Sequence, residues 1–173
     1  MAEFQNAIDA LKHHVEHQGD SLAYQTIDSF GKVIDTADYQ ALWYRSHSIA
    51  QTITTFTQPG DRVILLYENS IEMISALLGC MISHTIAIPC APLKGSLSPT
   101  AISIVRLMGI ANNANPSLIL SNGQYTQQLL AYSKSNTPIA NNTHQPIKII
   151  NTETITTTTH TAQKKQEGER QHK

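Results

Sequence analysis

Asp61-Arg62-Val63-Ile64-Leu65-Leu66-Tyr67-Glu68-Asn69-Ser70 leads through an apolar stretch to Thr85-Ile86-Ala87-Ile88-Pro89. Residues 62–67 form a short run with almost no polar interruption, the pattern of a strand covered on both faces. Asn69 and Ser70 are both good N-caps, because a short side-chain oxygen there accepts from an otherwise unpaired N–H of the first turn. Glu72 falls in that first turn, where the helix dipole favours a carboxylate. Ile71, Ile74, Leu77, Leu78 and Met81 then recur at spacings of three and four and predict one apolar stripe. Residues 85–88 predict a second buried strand, ended by Pro89. A strand, helix and strand of this length make a parallel βαβ unit.

Outward toward the N-terminus, Phe4, Ile8, Leu11 and Val15 share one face of a predicted helix over 3–18, with Gly19 placed as a left-handed C-terminal residue. Residues 22–27 and 32–35 predict two short strands around the turn Asp28-Ser29-Phe30-Gly31, a hairpin at the domain edge. Thr36 can cap the next helix, whose apolar face is Tyr39, Leu42, Trp43, Ile49, Ile53 and Phe56. Pro59-Gly60 breaks it and delivers Asp61 to the central strand. Toward the C-terminus, Ser98-Pro99 reads as an N-cap followed by proline at the first helical position. That helix carries Ile102, Val105, Leu107, Met108 and Ile110 and ends at Asn115-Pro116. Residues 117–121 predict a third buried strand, Asn122-Gly123 a turn into another helix to about 133, and 147–150 a fourth strand after a polar loop. Strands alternating with helices of this size predict an α/β, doubly wound, mainly parallel sheet.

From residue 151 the composition changes. Threonine recurs at 152, 154, 156–159 and 161, and no large apolar residue follows Ile155. Burial there cannot offset the entropy of ordering, so 151–173 is expected to be a Thr-rich, charged, disordered tail beyond a domain spanning 1–150.

The whole chain has 173 residues, a net charge of −1 and 40% hydrophobic residues. This suits one domain with a tail and lacks the clustered Lys and Arg of a nucleic-acid footprint. Cys80 and Cys90 do not form a CxxC pair and are expected to be reduced and structural. The first residues show neither the basic nor the apolar region of a secretory signal, and no apolar run approaches the ~18 residues of a membrane span. A cytoplasmic protein is expected.

Four constellations invite a chemical reading, and each has a blander one that fits better. His13, His14, Glu16 and His17 lack an HExxH pattern or a third ligand, and read as a solvated helix face. Cys80, Cys90 and His84 are close in sequence, but Cys80 belongs to a helix facing the sheet, so packing is expected. Asp61-Arg62 reads as a turn at the strand start. Trp43 and Tyr39 fit the apolar stripe of their helix and read as core. Neither GxGxxG nor GxxxxGK[ST] is present.

Several stretches together resemble the adenylate-forming, AMP-binding acyl-activating enzymes. Thr36-Ala37-Asp38-Tyr39-Gln40-Ala41-Leu42 resembles their L-T-Y-x-E-L helix start, and Gly60-Asp61-Arg62-Val63 their G-D-R-V strand entry. Gly79-Cys80-Met81-Ile82-Ser83-His84-Thr85-Ile86-Ala87-Ile88-Pro89 is similar to their G-C-L-Y-A-G-x-I-A-V-P. Leu65-Leu66-Tyr67, Gly79-Cys80 and the pattern Arg106-Leu107, Ile110, Asn113-Ala114, Pro116 and Leu118-Ile119-Leu120 look more like fatty-acyl-AMP ligases than acyl-CoA synthetases. The likeness covers roughly residues 10–125. It departs at Ser83-His84, where a small Ala-Gly pair is usual, so His84 is expected to strain the turn.

The resemblance implies the N-terminal part of the family's large domain, with the sheet incomplete. Intact members activate a carboxylate with ATP and Mg²⁺ to an acyl-adenylate and pyrophosphate. Their Ser/Thr/Gly-rich phosphate loop, adenine motif, ribose-binding Asp and catalytic Lys all lie downstream of the matching region. The Thr run at 156–161 contains no Gly and cannot let backbone N–H groups approach a phosphate closely. No catalytic, cofactor-binding or metal-binding residue is therefore assigned. The expectation is a truncated fatty-acyl-AMP ligase-like protein, inactive alone and binding no cofactor by itself. Two alternatives stand beside it: a half-enzyme complemented by a separate chain carrying the phosphate loop, and a non-catalytic interaction module. A sheet cut after a few strands leaves an open edge, so marginal stability and self-association are expected.

Overall fold

The structure, a computed structural model, describes residues 4–95, 98 and 100–157. The chain runs α1 (Ala7–Gln18), β1 (Leu22–Ile27), β2 (Val33–Asp38), α2 (Tyr39–Thr54), β3 (Arg62–Leu66), α3 (Ile71–Ile82), β4 (Ile86–Cys90), α4 (Ile102–Ala114), β5 (Leu118–Ser121), α5 (Gly123–Ser135) and β6 (Lys148–Asn151). A 3-10 turn, Thr152–Thr154, follows. β1 and β2 pair antiparallel as a separate hairpin, and the other four strands form one parallel sheet in the order β4–β3–β5–β6.

β3 holds this arrangement together, because successive side chains of a strand point to opposite faces. Val63, Leu65 and Tyr67 face a cluster with Ile49 and Ile53 of α2 and Ala76 and Cys80 of α3. Ile64 and Leu66 face the other cluster, with Ile104, Leu107 and Ala111 of α4 and Leu129 of α5. Val63, Ile64, Leu65 and Leu66 are all essentially fully buried. At about 2 kcal/mol each, their gross contribution is on the order of a domain's whole net stability. Helices on both faces of a parallel sheet make the doubly wound α/β class expected from the alternating pattern.

Several local expectations hold, and several need correction. Ser70 caps α3, accepting from the Met73 N–H, and Asn122, read from the sequence as part of a turn, caps α5. Asp28 fixes the hairpin turn by accepting from the N–H groups of Phe30 and Lys32. Asn115 ends α4 in the left-handed conformation. Gly19, however, is right-handed, with φ −53°. β2 runs on to Asp38, and Asp38 rather than Thr36 caps α2. α4 starts at Ile102 without a side-chain cap, later than Ser98-Pro99 suggests, and Ile102 and Val105 are exposed. The buried face of α3 is Ser75, Ala76, Gly79 and Cys80, not the stripe of large residues, and Met81 is exposed. α3 packs closely against α2, and its small side chains permit that approach. A Cβ on Gly79 would lie 3.0 Å from Ile49 Cγ2.

β4 is an edge strand with Ile86 exposed, and Pro89 lies inside it rather than ending it. The Ile86 N–H donates to Asp61 O at 2.7 Å, so the alternating N–H positions 86, 88 and 90 face β3 and 87 and 89 face outward. Pro89 therefore occupies a position with no ladder bond to make, which is where an edge strand tolerates proline. The tail expected to be disordered from residue 151 does not start there. Asn151 belongs to β6 and Thr152 is wholly buried. The rest of that tail, 158–173, lies outside the described residues.

Candidate functional site

In open α/β sheets, ligands enter at the carboxyl ends of the strands, beside the point where the strand order reverses. Here β3 is followed by β4 on one side and β5 on the other, so that point lies at the ends of β3 and β5. Tyr67 and Glu68 leave β3 there, Ser121 ends β5, and α5 begins at Gly123.

The polar groups at this end satisfy one another. Tyr125 Oη donates to Glu68 Oε1 at 2.9 Å. Tyr67 Oη and Thr152 Oγ1 lie 3.0 Å apart, and Ser121 Oγ and Thr126 Oγ1 2.7 Å apart. Gly123 N–H, the first of α5, donates to Glu153 Oε2 at 3.0 Å. A Cβ on Gly123 would lie 2.7 Å from that oxygen, so glycine is what lets the carboxylate reach the helix start. Arg45 of α2 sits to the side, its Nε donating to Glu72 Oε2 at 2.9 Å and its Nη2 meeting Glu72 Oε1. The same guanidinium donates to the carbonyls of Thr152 and Ile155, both at 2.7 Å.

Burial shifts two tyrosines and two thiols toward their neutral forms. Tyr125 is pushed from 10.0 to about 12, mainly by burial, with the Glu68 hydrogen bond and charge adding to it. Burial likewise raises Tyr67 strongly, opposed by its bond to Thr152. Cys80 goes from 9.0 to about 11 by burial, with the Thr85 hydroxyl pulling the other way, and Cys90 is raised by burial against the nearby Arg106. Neither thiol has the lowered value of a reactive cysteine, in keeping with the packing role expected for both.

The other flagged residues lie elsewhere. His13 stacks on His17 at 4.0 Å, and His14 stacks on Tyr39 at 4.8 Å. Trp43 is half-buried with its ring against His47 of the same helix, and Tyr39 is half-buried against His14 of α1, so the expectation that both are core is corrected. Asp61 does punctuate the strand start, accepting from the Gln58 N–H. His84 is exposed, with φ 56°, in the strained conformation expected of it. Among the described residues no group of three or more His, Cys, Asp or Glu could hold a metal ion, and no helix is long and apolar enough to cross a membrane.

Sequence reasoning missed the Arg45–Glu72 pair, although a signal was present. Arg45 is the sole Asp, Glu, Lys or Arg in α2, and Glu72 is the sole one in α3. Lone opposite charges on two apolar helices that pack together are candidates for a partly buried pair. The bonds of Tyr67 to Thr152 and of Tyr125 to Glu68 span 85 and 57 residues, and nothing local announces them.

A sequence profile described as "AMP-binding enzyme" matches residues 11–173. The chain is 29% identical over 130 residues to the medium-chain-fatty-acid–[acyl-carrier-protein] ligase JamA of Moorena producens, covering 72% of this chain and 21% of the relative. It is 31% identical over 116 residues to the long-chain-fatty-acid–AMP ligase FadD32 of Mycolicibacterium smegmatis, covering 62% of this chain and 18% of the relative. A solved fatty acid AMP ligase from Legionella pneumophila superposes with a TM-score of 0.69 at 21% identity, over 89% of this chain and 24% of that one. The chain thus spans about a fifth of the length of these curated relatives, and the fold it shares is the N-terminal part of theirs. With the profile matched across nearly its whole length, this chain belongs to the AMP-binding enzyme family.

Proposed function

We propose that this chain is the N-terminal substructure of a fatty-acyl-AMP ligase-type enzyme, and that it supplies scaffold rather than reacting groups. The observation that carries this reading is the self-satisfied carboxyl end of the sheet. The α5 N–H that could meet a phosphate is taken by Glu153, and Glu68 is bonded to Tyr125. Both carboxylates would repel a triphosphate, and Arg45 alongside is already bound to Glu72 and two carbonyls. The groups present do not fit ATP·Mg²⁺. The cytoplasmic location expected from the sequence belongs to the same proposal.

The test is fatty-acid-dependent exchange of labelled pyrophosphate into ATP. The chain alone is expected to give no exchange above a protein-free blank. Fatty-acid-dependent exchange by the chain alone would overturn the scaffold reading, and exchange that appears only with a complementing chain would select the half-enzyme.

A further inference from the structure

Residues 152–157 leave β6 and lie over the carboxyl ends of β3 and β5, held by two side chains, Arg45 and Tyr67, and by the backbone N–H of Gly123. Arg45 of α2 donates through Nη2 to Thr152 O at 2.7 Å, and through Nη1 to Ile155 O at 2.7 Å and Thr157 Oγ1 at 3.2 Å. Tyr67, at the end of β3, shares a hydrogen bond with Thr152 Oγ1, and Gly123 of α5 binds Glu153. The segment has a single large apolar residue, Ile155, only partly buried against the α2–α3 side of the sheet. Its docking is therefore decided by polar bonds rather than by apolar burial.

Arg45 can do this because Glu72 holds it from the opposite edge. The guanidinium is planar and presents its donors in a fixed fork, so the carboxylate on Nε and Nη2 orients the remaining donors toward the two carbonyls. With only 18% and 23% of the two side chains exposed, neither charge is well solvated without the other. Glu72 also sits in the first turn of α3, which favours its carboxylate. The α2 and α3 helices that carry the pair are anchored independently by Ile49, Ile53, Ala76 and Cys80.

We propose that Arg45 and Glu72 form a latch, and that residues 152–157 are a strap that can open as a unit while the four-stranded sheet stays folded. Opening uncovers the Tyr67 hydroxyl, Ser121 and the first N–H of α5, at the end of the sheet where this class of fold receives ligands. Arg45 is thus a positioning residue, which sets whether the chain leaving β6 lies across that end or away from it.

Hydrogen exchange read by mass spectrometry on the full chain tests this with R45Q and E72Q. The strap has its own reporters, since the Ile155 N–H is bonded to Thr152 O and the Glu153 N–H to Asn151 Oδ1. In R45Q the peptide covering 151–157 is expected to exchange at least tenfold faster, while peptides covering β3 and β5 keep their protection. E72Q is expected to give the same pattern more weakly, because it retains the side-chain length without the charge. Unchanged exchange over 151–157 in both variants overturns the latch. Joint loss of protection in strap and sheet overturns the separate opening. If R45Q does not fold, the same readings on E72Q decide.

Discussion

Replacing His84 by glycine should make this protein more stable. His84 follows the last turn of α3 with φ 56°, in the left-handed region where a Cβ crowds the following carbonyl. The turn leaves it no alternative. The His84 N–H donates to Met81 O at 3.2 Å, its carbonyl accepts from Gly60 N–H at 2.8 Å, and Thr85 N–H donates to Cys80 O at 2.9 Å. The ring is exposed. Relief of the left-handed conformation is worth roughly 1–2 kcal/mol, and the added freedom of glycine in the unfolded chain returns roughly 0.5–1 kcal/mol of that. The net gain is about 1 kcal/mol, a rise of roughly 2–4 °C in Tm for a chain of this size. Urea and thermal unfolding of the wild type, H84G and H84A read the effect. H84A keeps the Cβ and should gain little. A fall in stability for H84G, or an equal rise for H84A, would show that the backbone conformation is not the source.

Gly79→Ala should destabilise by roughly 1–3 kcal/mol in urea unfolding, since the new Cβ would meet Ile49 Cγ2 at 3.0 Å and Ser46 O at 3.2 Å in a packed helix crossing. Ile64→Ala should cost on the order of 2–5 kcal/mol by the same assay, because Ile64 is wholly buried in the inner strand. Stability should fall as pH rises from about 10 to about 12. The folded-state value of Tyr125 is raised from 10.0 to about 12, so its stabilising contribution is complete below pH 10 and is lost through the higher value. Y125F should flatten that part of the alkaline unfolding profile, and an unchanged profile would remove Tyr125 as its source.

The sheet was legible because β3 and β5 are short apolar runs between strong punctuation, Pro59-Gly60 before one and Asn115-Pro116 before the other. The cap at Ser70 was legible for a local reason, a short polar side chain beside an apolar periodic stretch. The buried face of α3 was not, since hydrophobicity ranks Leu78 and Met81 above Ser75 and Gly79, while a close helix crossing selects for small size. Edge and centre were also indistinguishable, because Ile86-Ala87-Ile88 is as apolar as an inner strand and only the strand order exposes it. The error at residue 151 has a different cause. Thr152 and Ile155 are held through carbonyls and a hydroxyl by Arg45 and Tyr67, and apolar content registers none of these bonds. At the carboxyl end of the sheet, the pairs Tyr67–Thr152, Gly123–Glu153 and Glu68–Tyr125 join residues 30 to 85 positions apart, beyond the reach of any local motif.

The central claim is that this chain supplies scaffold without a complete adenylating site. Calorimetric titration of the purified chain with ATP·Mg²⁺, with and without a long-chain fatty acid, tests it most directly. The account predicts no saturable heat in either titration. Saturable binding with a defined stoichiometry would contradict it, because some group in this chain would then cradle the phosphates that Glu68 and Glu153 are argued to repel.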